Sequence, residues 1–245
     1  MWTVTQVNQH IQASKLLLKI KDLTFNLIKN NKSINEYEVQ QFIKQKFKEF
    51  NLKSSKHPPI VAFRQSTANI HYYPKIHGSR KIRSNSLIML DIWAKLNKPQ
   101  APFSDITWMA YNGNKVPKQI LRVFNVVRET RDKCINFIEQ ELKKGRMPIG
   151  RKISQVTITN INKRGFQGKM KHSVGHGLGN TSPHGNRQGL RPSNNHPIHS
   201  NYGYTIEPGI YLKNKFGVRS EIDFYITKNK KLVITTDVQK SIELI

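Results

Sequence analysis

Cysteine is almost missing from this chain. One thiol, Cys134, stands in 245 residues, so neither an internal disulfide nor a thiolate zinc finger can be built. Acids are scarce too: 15 Asp and Glu face 41 Lys and Arg, for a formal net charge of +26. No apolar run approaches the roughly 18–20 residues of a membrane span. The N-terminus lacks the basic region, apolar stretch and small-residue cleavage site of a secretory leader. These absences exclude a stapled secreted scaffold and lead to the expectation of a soluble, cytoplasmic protein without a membrane partner. Hydrophobic residues at 37% and aromatics at 9% are enough for a buried core and argue against wholesale disorder. The basic residues are scattered singly and in pairs, as at Lys44, Lys46, Lys48 and Lys143-Lys144. That pattern reads as a solvated surface with non-specific, salt-dependent polyanion binding rather than a recognition footprint.

Hydrophobic spacing predicts a helix over 4–30, with Asn30-Asn31 as its stop. Ser33-Ile34-Asn35-Glu36 has the form of a capping box, opening a second helix that runs to about Phe50. His57-Pro58-Pro59 forbids continuation, and Ile60–Phe63 reads as a short buried strand. Two strand-like runs, Ser86–Trp93 and Ser104–Tyr111, flank a turn at Pro99 and Pro102 and should pair as a hairpin. A long helix is expected from Lys118 to about Lys144, stopped by Gly145, while 150–167 fits either a strand or a short helix. Residues 177–203, rich in Gly, Asn, Pro, Ser and His, read as a long loop. Three strand-like runs follow, Tyr204–Leu212, Gly217–Thr227 and Lys231–Thr236. The order suggests an α+β fold with an antiparallel sheet.

Several of the few acids sit where a surface acid should not. Asp91 follows Leu87-Ile88-Met89-Leu90, Asp105 lies between apolar neighbours, Glu207 interrupts a strand-like run, and Glu221 is followed two residues on by Asp223. A buried carboxylate must be paired, protonated or metal-bound. Any one of them alone reads as a structural ion-pair partner in so basic a chain. Four carboxylates with the glycine-flanked His176 make instead a hard-oxygen site with one borderline nitrogen, suited to Mn, Fe, Co or Zn. Two divalent ions would balance the four negative charges, leaving a bridging hydroxide to be stabilised by the surrounding donors; without ions the carboxylates would repel.

The strings LDIWAK, SDITW, HSVGHGLG, SPHG, IEPGIYL and GVRSEID occur in this order. Together they resemble the pita-bread metallopeptidases, the family of methionine aminopeptidases, proline dipeptidase, aminopeptidase P and creatinase. HPPIVAF followed by ANIHYYP is similar to the proline-peptidase branch. The resemblance spans the whole chain and implies one catalytic domain over 1–245, with leading helices in 1–58, a metal-site region in 59–245 and the usual N-terminal domain absent. It implies two divalent metal ions. Asp91 would hold one, Asp105 and Glu221 would bridge both, and His176 and Glu207 would complete the other. Glu207 would shuttle the proton of the attacking water, His184 and His172 would contact the scissile carbonyl and leaving group, and His71 would line the substrate pocket. Arg219, two before Glu221, would orient it. Trp93 and Trp108, close to the two aspartates, would wall the base of the pocket.

The implied function is a dinuclear metal-dependent exopeptidase that removes the first residue from a peptide, X–Pro bonds above all. The alternatives are a methionine aminopeptidase, favoured by chain length but not by motif wording, and a catalytically silent pita-bread module that binds a protein or RNA. Silent relatives lose metal ligands, and all five positions are filled here. Homodimeric assembly stays open. Asp91 and Asp105 are 14 residues apart, a longer hairpin than much of the family has.

Overall fold

The computed structural model describes residues 1–185 and 189–245. Residues 186–188, inside the loop expected over 177–203, lie outside the described residues. Helix α1 (Val4–Asn30) opens on a capping box between Thr3 and Gln6, and helix α2 (Glu36–Glu49) on another between Asn35 and Glu38. The second box sits two residues later than the Ser33 start expected from sequence. Asn35 accepts from the Glu38 amide at 3.0 Å, and Glu38 accepts from the Asn35 amide at 2.8 Å. Glu36 is thereby free for another task.

Strands β1 (Leu52–Lys53) and β2 (Ile60–Phe63) pair with β3 (Ser86–Leu96), which forms the expected hairpin with β4 (Ser104–Asn112). Residue parity sorts this hairpin between two layers, as it must when successive side chains point to opposite faces. Ile88, Leu90, Ile92, Ile106 and Ala110 join the core under α1 and α2. Leu87, Met89, Trp93, Met109 and Tyr111 join the core under helix α3 (Lys118–Lys143). Burial on both faces explains why β3 reads as a continuous apolar run rather than an alternating one.

The ambiguous segment is helix α4 (Gly150–Lys163), packed on α3. Its β-branched residues are poor helix formers, but Ile153, Thr157 and Ile161 are buried, and packing of one face overrides propensity. Cys134 is buried, with its Sγ 3.0 Å from the Thr157 hydroxyl, and burial pushes its thiol up to about 12. It is core.

The two long C-terminal runs are each broken. Strands β5 (Gly203–Ile206) and β8 (Ile222–Ile226) pair antiparallel, and so do β6 (Gly209–Leu212) and β7 (Phe216–Arg219). Both ladders keep one register, Ile206 opposite Ile222 and Gly209 opposite Arg219. They are one ribbon interrupted at Glu207-Pro208 and Ser220-Glu221. Pro208 has no N–H to continue the ladder; its carbonyl still accepts from the Ser220 amide at 3.2 Å. Strand β9 (Leu232–Ile234) lies beside β8, and β10 (Glu243–Leu244) pairs parallel to β4, so the main sheet is mixed rather than purely antiparallel. No helix among the described residues is long and apolar enough to cross a membrane.

The segment before the long loop runs beside β5. Thr205 N donates to His176 O at 2.9 Å, and Glu207 N donates to Val174 O at 2.7 Å. Gly175 permits this approach, since a Cβ there would stand 2.1 Å from the Thr205 carbonyl oxygen. Gly175→Ala is expected to lower Tm by at least ~2 °C and up to ~12 °C. Overpacking costs about 1–3 kcal/mol, and each kcal/mol moves Tm by about 2–4 °C at this chain length. A thermal melt checks it.

Candidate active site

Asp91 sits opposite Thr107 in the hairpin, and Asp105 opposite Trp93. All four therefore share one face, and the two aspartates are diagonal neighbours. The 14-residue separation does not matter: the turn absorbs the extra length and an even offset keeps both carboxylates on the same side. Trp108 falls on the opposite parity. It packs against the α1 core, with the Lys21 ammonium 4.6 Å from its ring centre. Trp93 lines the cleft; Trp108 does not.

The interrupted ribbon supplies Glu207 and Glu221, facing each other where its ladder breaks, and the segment beside β5 supplies His176. Asp91, Asp105, His176, Glu207 and Glu221 all line one cleft of about 500 Å³. His176 Nε2 is 3.7 Å from Asp105 Oδ2 and 3.5 Å from Glu207 Oε1. One ligand atom from each of Asp105, His176 and Glu221 lies within 4.8 Å of the other two. Asp91, Asp105 and Glu221 are buried, at 7%, 5% and 3% exposure.

Such crowding has electrostatic consequences. Burial pushes Asp105 well above the usual carboxylate range, and Glu221 and Asp91 push the same way. Glu221 is raised well above its ordinary value by burial and by Glu207 and Asp91. Burial lifts Glu207 to about 8, against the opposing pull of Arg219. Asp91 is raised by burial and held back by Arg219. His176 is lowered to about 3 by burial and the neighbouring His184, whose ring centre is 4.4 Å away. One guanidinium cannot neutralise four carboxylates. Asp105 Oδ1 is buried with no hydrogen-bond partner, a lone pair that a cation would satisfy. Oxygen-rich donors with one imidazole fit divalent Mn, Fe, Co or Zn.

Arg219 is buried and pairs with Asp91 through Nη2. Its Nε donates to Thr107 Oγ1 at 2.9 Å, and Thr107 donates to Glu221 Oε2 at 2.8 Å. It thus reaches Glu221 through Thr107 and holds Asp91 directly. Thr107 was legible in principle, since it lies two residues after Asp105 on the same strand face. Tyr211 carried no such signal. Its hydroxyl accepts from Arg219 Nη1 at 3.3 Å and lies 2.8 Å from His172 Nε2. With that oxygen accepting from Arg219, its proton goes to His172 Nε2, and Nδ1–H donates to the Ser173 carbonyl at 2.8 Å. The ring is thus held neutral, in keeping with burial lowering it to about 3. His172 Nδ1 stands 3.6 Å from Glu207 Oε2.

A second arm of about 320 Å³ continues from the first and carries His172 and Arg191. His71, His176, His184, Glu207 and Arg219 line both arms, so the cleft bends at these groups. His71 and His184 are solvent-exposed at this junction. Asp223 is not in the cleft. It accepts from the Ser104 hydroxyl at 2.8 Å and the Asp105 amide at 2.9 Å, bracing the cleft-facing strand β4 from behind.

Residues 9–228 match the family model described as metallopeptidase family M24. An uncharacterized peptidase of Staphylococcus aureus is 26% identical over 230 residues, covering 94% of this chain and 61% of the relative. The chain thus spans about three-fifths of the length of the curated relatives it matches. An X-Pro aminopeptidase from Thermotoga maritima superposes with a TM-score of 0.87 at 21% identity, covering 100% of this chain and 64% of that one. A prolidase from Thermococcus sibiricus gives 0.86 at 25%, covering 100% and 62%. An X-prolyl aminopeptidase from Caenorhabditis elegans, described as a cytosolic enzyme with a di-nuclear active site, gives 0.77 at 22%, covering 97% and 39%. The architecture is the pita-bread α+β fold of these proteins.

Proposed function

Because this chain belongs to metallopeptidase family M24, we propose that it is a dinuclear metal-dependent exopeptidase that hydrolyses the N-terminal bond of peptides, X–Pro bonds foremost. The convergence of five metal-type donors from three separate stretches of chain into one bent cleft carries this reading. Similarity to X-Pro aminopeptidase and prolidase structures supports the choice of bond.

In this reading Asp91, Asp105, His176, Glu207 and Glu221 would hold the two ions, with Asp105 and Glu221 shared between them. Mn, Co, Fe or Zn each suit the donors. When bound, such ions bring the pKa of a water toward neutrality and polarise a carbonyl. Glu207, half-buried beside His176 and His172, takes the water's proton and returns it to the leaving nitrogen. His184 at the bend and His172 in the second arm donate to the oxyanion and the leaving group. Donation from His172 uses its Nδ1–H, the tautomer its bond to Tyr211 enforces, in exchange for the hydrogen bond to the Ser173 carbonyl. His71 positions the peptide at the junction, and Arg219 holds Asp91 in place.

Purified protein loaded with Mn or Co is expected to release the first residue of Ala–Pro–Ala at least tenfold faster than that of Met–Ala–Ser, a ratio equal to about 1.4 kcal/mol. The reverse ranking identifies a methionine aminopeptidase. Tight metal binding with neither peptide cleaved identifies a silent binding module.

A further inference from the structure

Glu36 is fully buried at the first turn of α2, far in sequence from every cleft-lining group named above, and no cation is among its hydrogen-bond partners. Its carboxylate accepts three hydrogen bonds. Oε1 takes the Phe63 amide at 2.7 Å, and Oε2 takes the Arg80 amide at 2.7 Å and the Tyr72 hydroxyl at 2.5 Å. Phe63 begins the excursion from β2, Tyr72 is its middle, and Arg80 is near its end. One side chain therefore ties the start, centre and finish of a single loop. The Glu36 amide adds a fourth link to the Arg80 carbonyl at 3.0 Å.

The residues on either side of Tyr72 are the loop's contributions to the cleft. His71 lines both arms and Tyr73 the larger one. Tyr73 is also stacked on His57, with ring centres 5.8 Å apart and planes 14° from parallel. Ile70, Tyr72 and Tyr73 pack on the core beneath α3, whereas the tip of the loop reaches solvent, with Ile76 68% exposed. The exposed tip, residues 75–78, has little packing of its own to hold it.

We propose that Glu36 is a positioning residue for substrate binding, acting through the Tyr72 hydroxyl to set His71 and Tyr73 in the cleft. The proposal deepens the exopeptidase reading and, for its kinetic test, rests on it. The metal donors lie on other elements, so the loss should fall on binding rather than on the chemical step.

Tyr72→Phe removes one hydroxyl and keeps the ring. It is expected to raise KM for Ala–Pro–Ala about tenfold with kcat changed less than about twofold, because a hydrogen bond to a charged group is worth about one such factor. Metal content should not change. Glu36→Gln should show the same split with a larger KM, if it folds; Tyr72→Phe carries the test if it does not. A second readout needs no catalysis: trypsin cleavage after the exposed Lys75, mapped by mass spectrometry on metal-free protein, should be faster in Tyr72→Phe than in wild type. Unchanged KM in Tyr72→Phe, or a fall confined to kcat, overturns the proposal. If metal-loaded wild type leaves the peptide intact, the exopeptidase reading fails instead, and the trypsin comparison alone decides: equal cutting rates then overturn the clamp.

Discussion

Glu221→Gln and Asp105→Asn are each expected to abolish metal-dependent peptide release while leaving the metal-free protein folded and at least as stable as wild type. Loss of activity should reach at least about a hundredfold in kcat/KM, since groups that merely orient metal ligands already account for ten- to a hundredfold. The stability effect runs the other way. In the metal-free chain Glu221 is pushed well above its ordinary pKa by burial, Glu207 and Asp91. An amide removes that repulsion, and its oxygen can still accept the Thr107 hydroxyl, 2.8 Å away in the parent. Melts with and without Mn, beside a peptide-release assay, check both signs. A variant that loses activity because it unfolds without metal would refute the assignment of these residues as charge-crowded ligands.

Metal itself should produce the largest change in stability, and its effect should depend on pH. A ligand that binds only the folded state at a thousand times its Kd stabilises by about 4 kcal/mol. At about 2–4 °C per kcal/mol, Mn or Co should raise Tm by roughly 8–16 °C, and a chelator should reverse it. In the metal-free protein Glu207 carries a folded-state pKa of about 8 against an ordinary 4.5. Between those values the folded chain holds a proton that the unfolded chain has released. The unfolded state thus binds fewer protons, and stability falls as pH rises, by up to about 1.4 kcal/mol per unit for each such group. Asp105 and Glu221 are shifted in the same direction. Below pH 6.5 the buried His10, His172 and His176, lowered to about 4, 3 and 3, act in the opposite direction. Metal-free Tm should therefore drop from pH 6.5 to pH 8, while the increment from added metal should grow over the same range, because the ligands must be ionised to bind. Scanning calorimetry at both pH values, with and without ion, measures the crossing trends. Parallel curves would mean that the carboxylate cluster is not where the ion binds.

The elements whose evidence was local were legible in the chain. The hairpin of β3 and β4 announced itself by two apolar runs around a proline-marked turn, and the paired strands run from Ser86 opposite Asn112 to Ala94 opposite Ser104. The acids in those runs drew attention because an unpaired carboxylate has no stable place among Leu, Ile and Met. Other features were hidden because they depend on partners far along the chain. Segment 150–163 is helical because α3 buries one of its faces, not because its residues favour a helix. Trp108 and Asp105 look like neighbours in sequence, yet strand parity sends them to opposite sides of the sheet. Glu36 looks like half of a capping box, and the fold turns it instead toward Phe63, Tyr72 and Arg80.

Sequence alone determined which residues are candidates for the chemistry, since a chain with 15 acids against 41 bases leaves few carboxylates to choose among, and those inside apolar runs select themselves. Tertiary structure alone decided their arrangement: which aspartate Arg219 holds, where the broken ribbon sets Glu207 against Glu221, and how Tyr211 orients His172. The reason is range. Burial preference is written residue by residue, whereas a distance of three or four ångströms between side chains 100 positions apart exists only after the backbone has closed the loops between them.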